Sequence, residues 1–181
     1  MILFINGPFG VGKTTVARLL VQKLPRTILY DPEIIGGVLH RVLGPLTKVE
    51  DYQDYTLWRR LVVGGARLSR RVSGRTMVIP MTVRRRDAFD PLVEGLRRVD
   101  PNLWCFRLTA PRDILVVVGR ISSVSEDKEA YPWCASHLEV CPKALRDPAF
   151  GTEIRTEGLA PAQFAGRILK SLPVITEWSR S

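Results

Sequence analysis

Cysteine and histidine are scarce in this chain of 181 residues. Its three cysteines, Cys105, Cys134 and Cys141, are odd in number and form no C-x-x-C pair. This pattern argues against a disulfide framework. The two histidines, His40 and His137, have no partner at the spacing of metal ligands, which argues against a zinc site. We therefore expect reduced thiols and a cytoplasmic protein.

Long hydrophobic runs are also missing. Apolar runs such as Ile114–Val118 are far shorter than the ~20 residues that span a bilayer. No basic segment precedes the first apolar run, so we expect no secretory signal. Hydrophobic residues make up 45% and charged residues 25% of the chain, as in ordinary globular proteins. Because no repeat or linker is visible, we predict a single domain over residues 1–181.

Acidic residues are fewer than basic ones, with 18 Asp and Glu against 27 Lys and Arg and a net charge of +9. This excess favours anionic partners, which include nucleotides, nucleic acid and acidic membrane surfaces. No basic stripe interleaved with aromatic residues is visible, so we expect a small-molecule partner and no nucleic acid. Peripheral contact with a membrane and the oligomeric state stay open.

The most informative stretch of the sequence is a P-loop, Gly-Pro-Phe-Gly-Val-Gly-Lys-Thr, at residues 7–14. It matches G-x-x-x-x-G-K-[ST] at every required position, after an apolar strand candidate and before an amphipathic helix. Gly7 and Gly12 permit backbone angles that a Cβ would penalise. Lys13 supplies charge to the β- and γ-phosphates, and the Thr14 hydroxyl is a ligand for Mg²⁺. We predict that ATP and Mg²⁺ bind here. The predicted nucleotide-binding residues are Gly7, Pro8, Phe9, Gly10, Val11, Gly12, Lys13, Thr14 and Thr15.

Strand and helix patterns alternate along the chain. The predicted strands are Ile2–Asn6, Thr27–Tyr30, Thr76–Ile79, Leu103–Leu108 and Thr152–Arg155. The predicted helices cover about 13–24, 32–43, 50–72, 88–98 (with Asp87 as its cap), 111–121, 132–146 and 161–172. This order predicts an α/β fold with a five-stranded, mostly parallel sheet covered on both faces. In the helix over 50–72 we predict that Leu57, Leu61 and Leu68 lie on the inner face.

Two carboxylates follow the second predicted strand, in Asp31-Pro32-Glu33. Ligands of such sheets bind at the carboxyl ends of the strands, so these side chains are candidates for substrate binding. One of them can hold a Mg²⁺-bound water, and the other can orient or deprotonate an acceptor hydroxyl. Alternatively, Asp31 is only a helix cap and Glu33 only a favourable first-turn charge. We favour a catalytic role, and Asp31 over Glu33.

The third predicted strand ends in Pro80-Met81-Thr82, without the aspartate that motor ATPases and GTPases use to hold Mg²⁺. The GTPase sequence N-K-x-D is missing as well. Both absences favour a small-molecule kinase. Arg84 and Arg85, just after this strand, are candidate ligands for an anionic or hydroxyl-rich acceptor. The alternative is that they are solvated surface charge.

A polar segment at 122–128 predicts a lid over about 112–130. Arg120 lies at its entrance and can neutralise charge on the transferring phosphoryl group, although a surface arginine is the alternative. Residues 156–159 are placed to contact adenine through their backbone. The aromatic residues Tyr52, Tyr55, Trp58 and Trp133 line an acceptor pocket or serve ordinary packing.

Residues 4–14, 30–33 and 80–82 together resemble the ATP-binding tunicamycin-resistance proteins (TmrB-like), within the P-loop nucleoside and small-molecule kinases. The overall pattern is also similar to shikimate, gluconate and chloramphenicol kinases, in which a D-x-[DE] pair follows strand two. The resemblance covers most of the chain and is most specific in its first 35 residues.

The resemblance implies the strand order 2-3-1-4-5, binding of ATP and Mg²⁺, and resistance to a uridine-containing nucleoside antibiotic. Phosphorylation of a drug hydroxyl is the mechanism that such kinases suggest. Binding that sequesters the drug without transfer is also compatible with the resemblance. Since the third strand lacks a terminal acidic residue, the base is Asp31 or Glu33.

Overall fold

The computed structural model describes residues 1–32, 56–111 and 140–173. Within them a five-stranded parallel sheet has the order β2-β3-β1-β4-β5. Its strands are β1 (Ile2–Asn6), β2 (Thr27–Leu29), β3 (Thr76–Met81), β4 (Leu103–Thr109) and β5 (Thr152–Arg155). The helices are α1 (Lys13–Lys23), α2 (Thr56–Ser73), α3 (Arg86–Val99), α4 (Val140–Ala144) and α5 (Pro161–Ser171). The predicted α/β fold and strand order are confirmed.

The central strand β1 is buried along its whole length. It pairs with β3 on one side and β4 on the other, so that Asn6 lies beside Met81 and Arg107. A strand that is covered on both faces has a continuous apolar sequence, which explains why Ile2–Asn6 could be predicted as a strand. The carboxyl ends of three strands therefore meet where the P-loop begins.

The helices form two layers. Alternate residues of β1 point to opposite faces, with Ile2 and Phe4 in one hydrophobic core and Leu3 and Ile5 in the other. Helices α2 and α3 pack together over the first core, and α1 and α5 over the second. No helix in the described ranges is both long and apolar enough to cross a bilayer.

The prediction of which face of α2 is buried is wrong. Leu57, Leu61 and Leu68 are exposed, whereas the helix buries a neighbouring stripe. That stripe consists of Trp58, Val62 and Ala66. Successive residues of a helix are rotated by about 100° about its axis, so a predicted stripe that is displaced by one residue lies on a different face of the helix. Ala66 is a weak apolar signal in a sequence, but its small side chain suits a close contact between this helix and the core.

Replacing Trp58 by alanine is expected to lower the free energy of unfolding by about 3–5 kcal/mol, because a fully buried indole leaves a cavity. The matched control is Leu68→Ala on the exposed stripe, for which we expect a change within about 0.5 kcal/mol. Denaturant unfolding measures both. Equal losses would mean that α2 packs through the leucine face instead.

Strand β3 is longer than predicted and passes through Pro80 to Met81. The amide of Thr76 points toward β2 and binds Arg26 O at 3.0 Å, while that of Met77 points toward β1. By this alternation the position of Pro80 also faces β2, where a proline cannot donate. The last bond on that side joins Tyr30 N to Val78 O at 2.9 Å. Because the ladder ends there, the chain departs from the sheet at Asp31.

The amino end of β1 is fastened by Asp100. Its carboxylate accepts from the Met1 amino group at 2.7 Å and from Asn102 N at 2.9 Å, and it pairs with Arg70 at 2.9 Å. Burial alone would raise the pKa of Asp100. The hydrogen bonds and the positive charges outweigh burial and hold its pKa below the usual range.

A lowered carboxylate pKa contributes stability above the unfolded value near ~3.9, and this contribution is lost as the pH falls through the folded pKa. We therefore expect Asp100→Asn to be less stable than the wild type at pH 7. The gap between the two proteins should narrow as the pH falls below about 4, because the unfolded wild-type chain then binds a proton at Asp100 before the folded carboxylate does. Urea titrations at pH 7, 4 and 3 test this, and a gap that is constant with pH would contradict it.

Candidate nucleotide and acceptor site

The glycines of the P-loop serve two different purposes. Gly10 and Gly12 have φ angles of 76° and 90°, in the left-handed region that favours glycine. Gly7 is needed for space, since a Cβ there would lie 2.8 Å from Val11 Cγ1 and 3.1 Å from Leu108 O. The sequence predicted that both Gly7 and Gly12 adopt backbone angles that favour glycine. This holds for Gly12, whereas Gly7 is needed because a side chain would collide with Val11 and β4.

The loop leads directly into the amino terminus of α1. Gly12 is the N-cap and gives no side-chain cap, and the first turn holds no acidic residue. The first helical hydrogen bond runs from Val16 N to Gly12 O at 3.0 Å, so the amides of Thr14 and Thr15 precede the helical ladder. Both threonines are exposed. The helix thus presents backbone donors and its positive end to an anion.

Lys13 bends back over the loop. Its side chain is buried, its Nζ donates to Pro8 O at 2.9 Å, and this atom lies 5.2 Å from the centre of the Phe9 ring. The ammonium group is therefore already held above the loop backbone. Left-handed glycines, an uncapped helix terminus and this lysine together fit the phosphates of a nucleoside triphosphate.

The described residues include no cluster of three or more His, Cys, Asp or Glu side chains that could hold a metal ion. Mg²⁺ in kinases is commonly held by one or two protein groups together with the phosphates of the substrate. The exposed Thr14 hydroxyl at the start of α1 fits such a role. Thr14 would therefore bind a Mg²⁺ ion that enters the site together with the nucleotide.

Asn6 is a site residue that the sequence analysis missed. Its side chain is fully buried at the end of β1 and forms hydrogen bonds with the backbones of Gly7 and Val83. Oδ1 accepts from Gly7 N and from Val83 N, both at 2.9 Å, and Nδ2 donates to Val83 O at 2.9 Å. The P-loop and the segment after β3 are therefore joined by one amide. A polar residue ending an otherwise apolar strand was the signal that could have revealed it.

Asp31 lies at the carboxyl edge of the sheet, as predicted, and is half-buried. The order β2-β3-β1 puts β3 between its strand and the P-loop strand, a separation of about 10 Å. An acceptor between the carboxylate and the P-loop would therefore lie over the end of β3. Of the other predicted catalytic and substrate residues, Glu33 and Arg120 lie outside the described residues, together with the predicted lid.

The two candidate arginines after β3 have different surroundings. Arg84 is half-buried and follows Val83, whose backbone is fastened to Asn6. Arg85 is the N-cap residue of α3 and its exposed guanidinium pairs with Asp87. The hydrogen bonds from Arg85 hold the pKa of Asp87 below its usual range. Asp87 lies within the first turn of α3 and is not its cap, contrary to the prediction, because the N-cap position is taken by Arg85.

The segment at 156–159 lies at the same edge of the sheet, after β5. Thr156 is buried, and both its amide and its hydroxyl donate to Thr109 O, at 2.9 and 3.0 Å. Its contact with adenine stays a prediction. Trp58 lies in the core rather than in an acceptor pocket, while Tyr52, Tyr55 and Trp133 lie outside the described residues.

A family model described as an AAA domain matches residues 2–117, more than half of the chain, and the chain therefore belongs to this family. Together with the sheet order and the loop geometry, this defines a P-loop protein with the fold of the small-molecule kinases. No curated protein sequence matches it.

Among solved structures, the chain is similar to the tunicamycin resistance protein of Deinococcus radiodurans. The two are 25% identical, with a TM-score of 0.70 and 93% of each chain covered. The expected resemblance is confirmed. A sugar kinase from Janibacter sp. HTCC2649 (16% identity, TM-score 0.68, 99% of this chain and 98% of that one) shares the fold. So does shikimate kinase from Acinetobacter baumannii (19% identity, TM-score 0.60, 93% and 90%).

Proposed function

We propose that this protein is an ATP- and Mg²⁺-dependent kinase that phosphorylates a hydroxyl of a nucleoside antibiotic such as tunicamycin. The observation that carries the proposal is the P-loop geometry, with Lys13 held over a loop that enters an uncapped helix terminus. The likeness to a tunicamycin resistance protein supports the choice of substrate class. The scarcity of cysteine supports a cytoplasmic location, where ATP is available.

In the proposed reaction the acceptor lies between the P-loop and Asp31. The Asp31 carboxylate takes the proton of the acceptor hydroxyl, and the hydroxyl oxygen of the acceptor forms a bond to the γ-phosphorus. The bond from that phosphorus to the β,γ-bridging oxygen breaks, and ADP leaves with the electron pair. Lys13 and the amides that start α1 stabilise the charge on the phosphates. Mg²⁺, held by Thr14 and the phosphates, would neutralise charge during transfer.

An alternative is a protein that binds the drug in the presence of ATP without transferring phosphate. One observation leaves room for it: β3, beside the P-loop strand, ends at Met81 without a carboxylate, so a catalytic base would have to come from another strand. In this case protection would come from sequestering the drug. Nucleic acid is not expected as a partner in either case.

Mass spectrometry of tunicamycin after incubation with the protein, ATP and Mg²⁺ separates these functions. A gain of one phosphoryl group, absent without ATP, supports the kinase. An unchanged mass together with ATP-dependent binding of the drug supports sequestration. If the drug neither gains mass nor binds, both proposals are wrong and other hydroxyl compounds must be screened.

Arg84→Ala is expected to raise the KM for the acceptor about 10- to 100-fold, the cost of one charge-assisted hydrogen bond, with little change in the KM for ATP. Arg85→Ala is the matched control, because its guanidinium is exposed and already paired with Asp87. We expect this control to change either KM less than about twofold. Steady-state kinetics with each substrate varied measures the difference. A larger effect at Arg85 would contradict the assignment.

A further inference from the structure

The side chain of Asn6 extends the pairing of two strands beyond their backbones. Strands β1 and β3 are in register up to the pair Asn6 and Met81. Two residues further on, Val83 has both its N–H and its C=O bound to the Asn6 amide, each at 2.9 Å. A carboxamide has one acceptor and one donor side by side, as a peptide group has, so it can replace a backbone partner here.

The same oxygen of Asn6 also accepts from Gly7 N at 2.9 Å. Gly7 is the first residue of the phosphate loop, and Val83 directly precedes Arg84, the candidate acceptor ligand. One fully buried amide therefore touches both the start of the predicted phosphate loop and the residue before Arg84, the candidate acceptor ligand. Since buried polar groups are costly when unsatisfied, a displacement of one segment strains the bond to the other.

We propose that Asn6 is a positioning residue that couples nucleotide binding at the P-loop to the placement of Val83 and Arg84. The inference rests on the proposed function for the identity of the two ligands. When the loop closes on phosphate, Gly7 shifts against Oδ1, and the amide transmits this shift to the backbone of Val83. The coupling is reciprocal, so an occupied acceptor segment also favours the nucleotide-bound loop.

Hydrogen exchange of the full chain, with and without saturating ADP, tests the coupling without requiring phosphate transfer. In the wild type we expect ADP to slow exchange about tenfold at residues 7–15 and also at 82–86. In Asn6→Ala the slowing at 7–15 should persist, while that at 82–86 should disappear. Equal slowing at 82–86 in both proteins would overturn the proposal.

Two further variants separate coupling from general stability. Asn6→Leu keeps the volume of the side chain and removes its donor and its acceptor, so the slowing at 82–86 should be lost as in Asn6→Ala. Asp100→Asn weakens the opposite end of the same strand, where Asp100 binds the Met1 amino group, and should retain the response. Loss of the response in Asp100→Asn to the same extent as in Asn6→Ala would overturn the proposal.

The remaining outcomes are also decisive. If Asn6→Ala does not fold, Asn6→Leu carries the test, and failure of both to fold assigns Asn6 to folding and overturns the coupling. If ADP slows exchange at 7–15 but not at 82–86 in the wild type, the coupling is wrong and nucleotide binding stands. If ADP slows neither segment, nucleotide binding itself is wrong, so the two failures are distinguishable.

Discussion

Replacing Lys13 by alanine should reduce phosphate transfer on the order of 10²- to 10³-fold, the usual effect of removing one preorganised charge at a reacting group. The Lys13 ammonium already lies over the loop, bound to Pro8 O at 2.9 Å, so it needs little rearrangement to contact phosphate oxygens. Without the Lys13 ammonium, only backbone amides and Mg²⁺ would stabilise the charge that develops on the phosphates during transfer. Affinity for ATP should fall about 10- to 100-fold, the value of a hydrogen bond to a charged group.

The matched control is Lys23→Ala, which removes the same charge from the exposed last turn of the same helix. Calorimetric titration with a non-hydrolysable ATP analogue and product analysis by mass spectrometry measure binding and transfer separately. We expect Lys23→Ala to behave as the wild type in both. Transfer by Lys13→Ala at a rate within threefold of the control, a margin of about 0.7 kcal/mol, would contradict the role of Lys13.

Replacing Asp31 by asparagine should lower the rate of transfer about 10²- to 10⁴-fold and leave the affinity for ATP nearly unchanged. Asparagine has the same shape as aspartate but cannot accept the proton of the acceptor hydroxyl. Asp31 lies two strands from the P-loop, a distance that separates it from the phosphates while keeping it at the same edge of the sheet. Its loss should therefore affect chemistry rather than nucleotide binding.

Single-turnover transfer and ATP titration on the same protein preparation test the role of Asp31. Asp90→Asn is a suitable control, because Asp90 is an exposed carboxylate on α3 that pairs with Arg86. A normal rate of transfer in Asp31→Asn would eliminate Asp31 as the base. A protein that only sequesters the drug would keep its protective effect in cells after this substitution, so growth on tunicamycin provides a second measurement.

Much of the fold could be predicted from local patterns. The strands β1 and β5 have the predicted bounds, and α1 ends one residue before the prediction. Buried parallel strands are short apolar runs, and Pro and Gly between them end helices, so both signals are carried by neighbouring residues. The strand order 2-3-1-4-5 followed from the family resemblance, and the structure confirms it.

The face that α2 buries could not be chosen locally. Its sequence contains a stripe with Leu57 and Leu61 and another with Trp58 and Val62, and both have helical spacing. Which stripe is buried depends on how closely the helix approaches the sheet and on α3, which packs beside it. Such a choice is made by packing between elements distant in sequence, so a pattern within one helix does not contain it.

By itself, the sequence determined the phosphate loop, because its glycines, lysine and threonine act within eight consecutive residues and need only a strand before them and a helix after them. The tertiary structure alone decided that Asn6 binds Val83, 77 positions away, and that Asp31 leaves the sheet beside Pro80. Both arrangements arise from pairing with β3, which brings distant backbone groups into contact. Hydrogen bonds of this kind depend on register between strands, and register is a property of the assembled sheet.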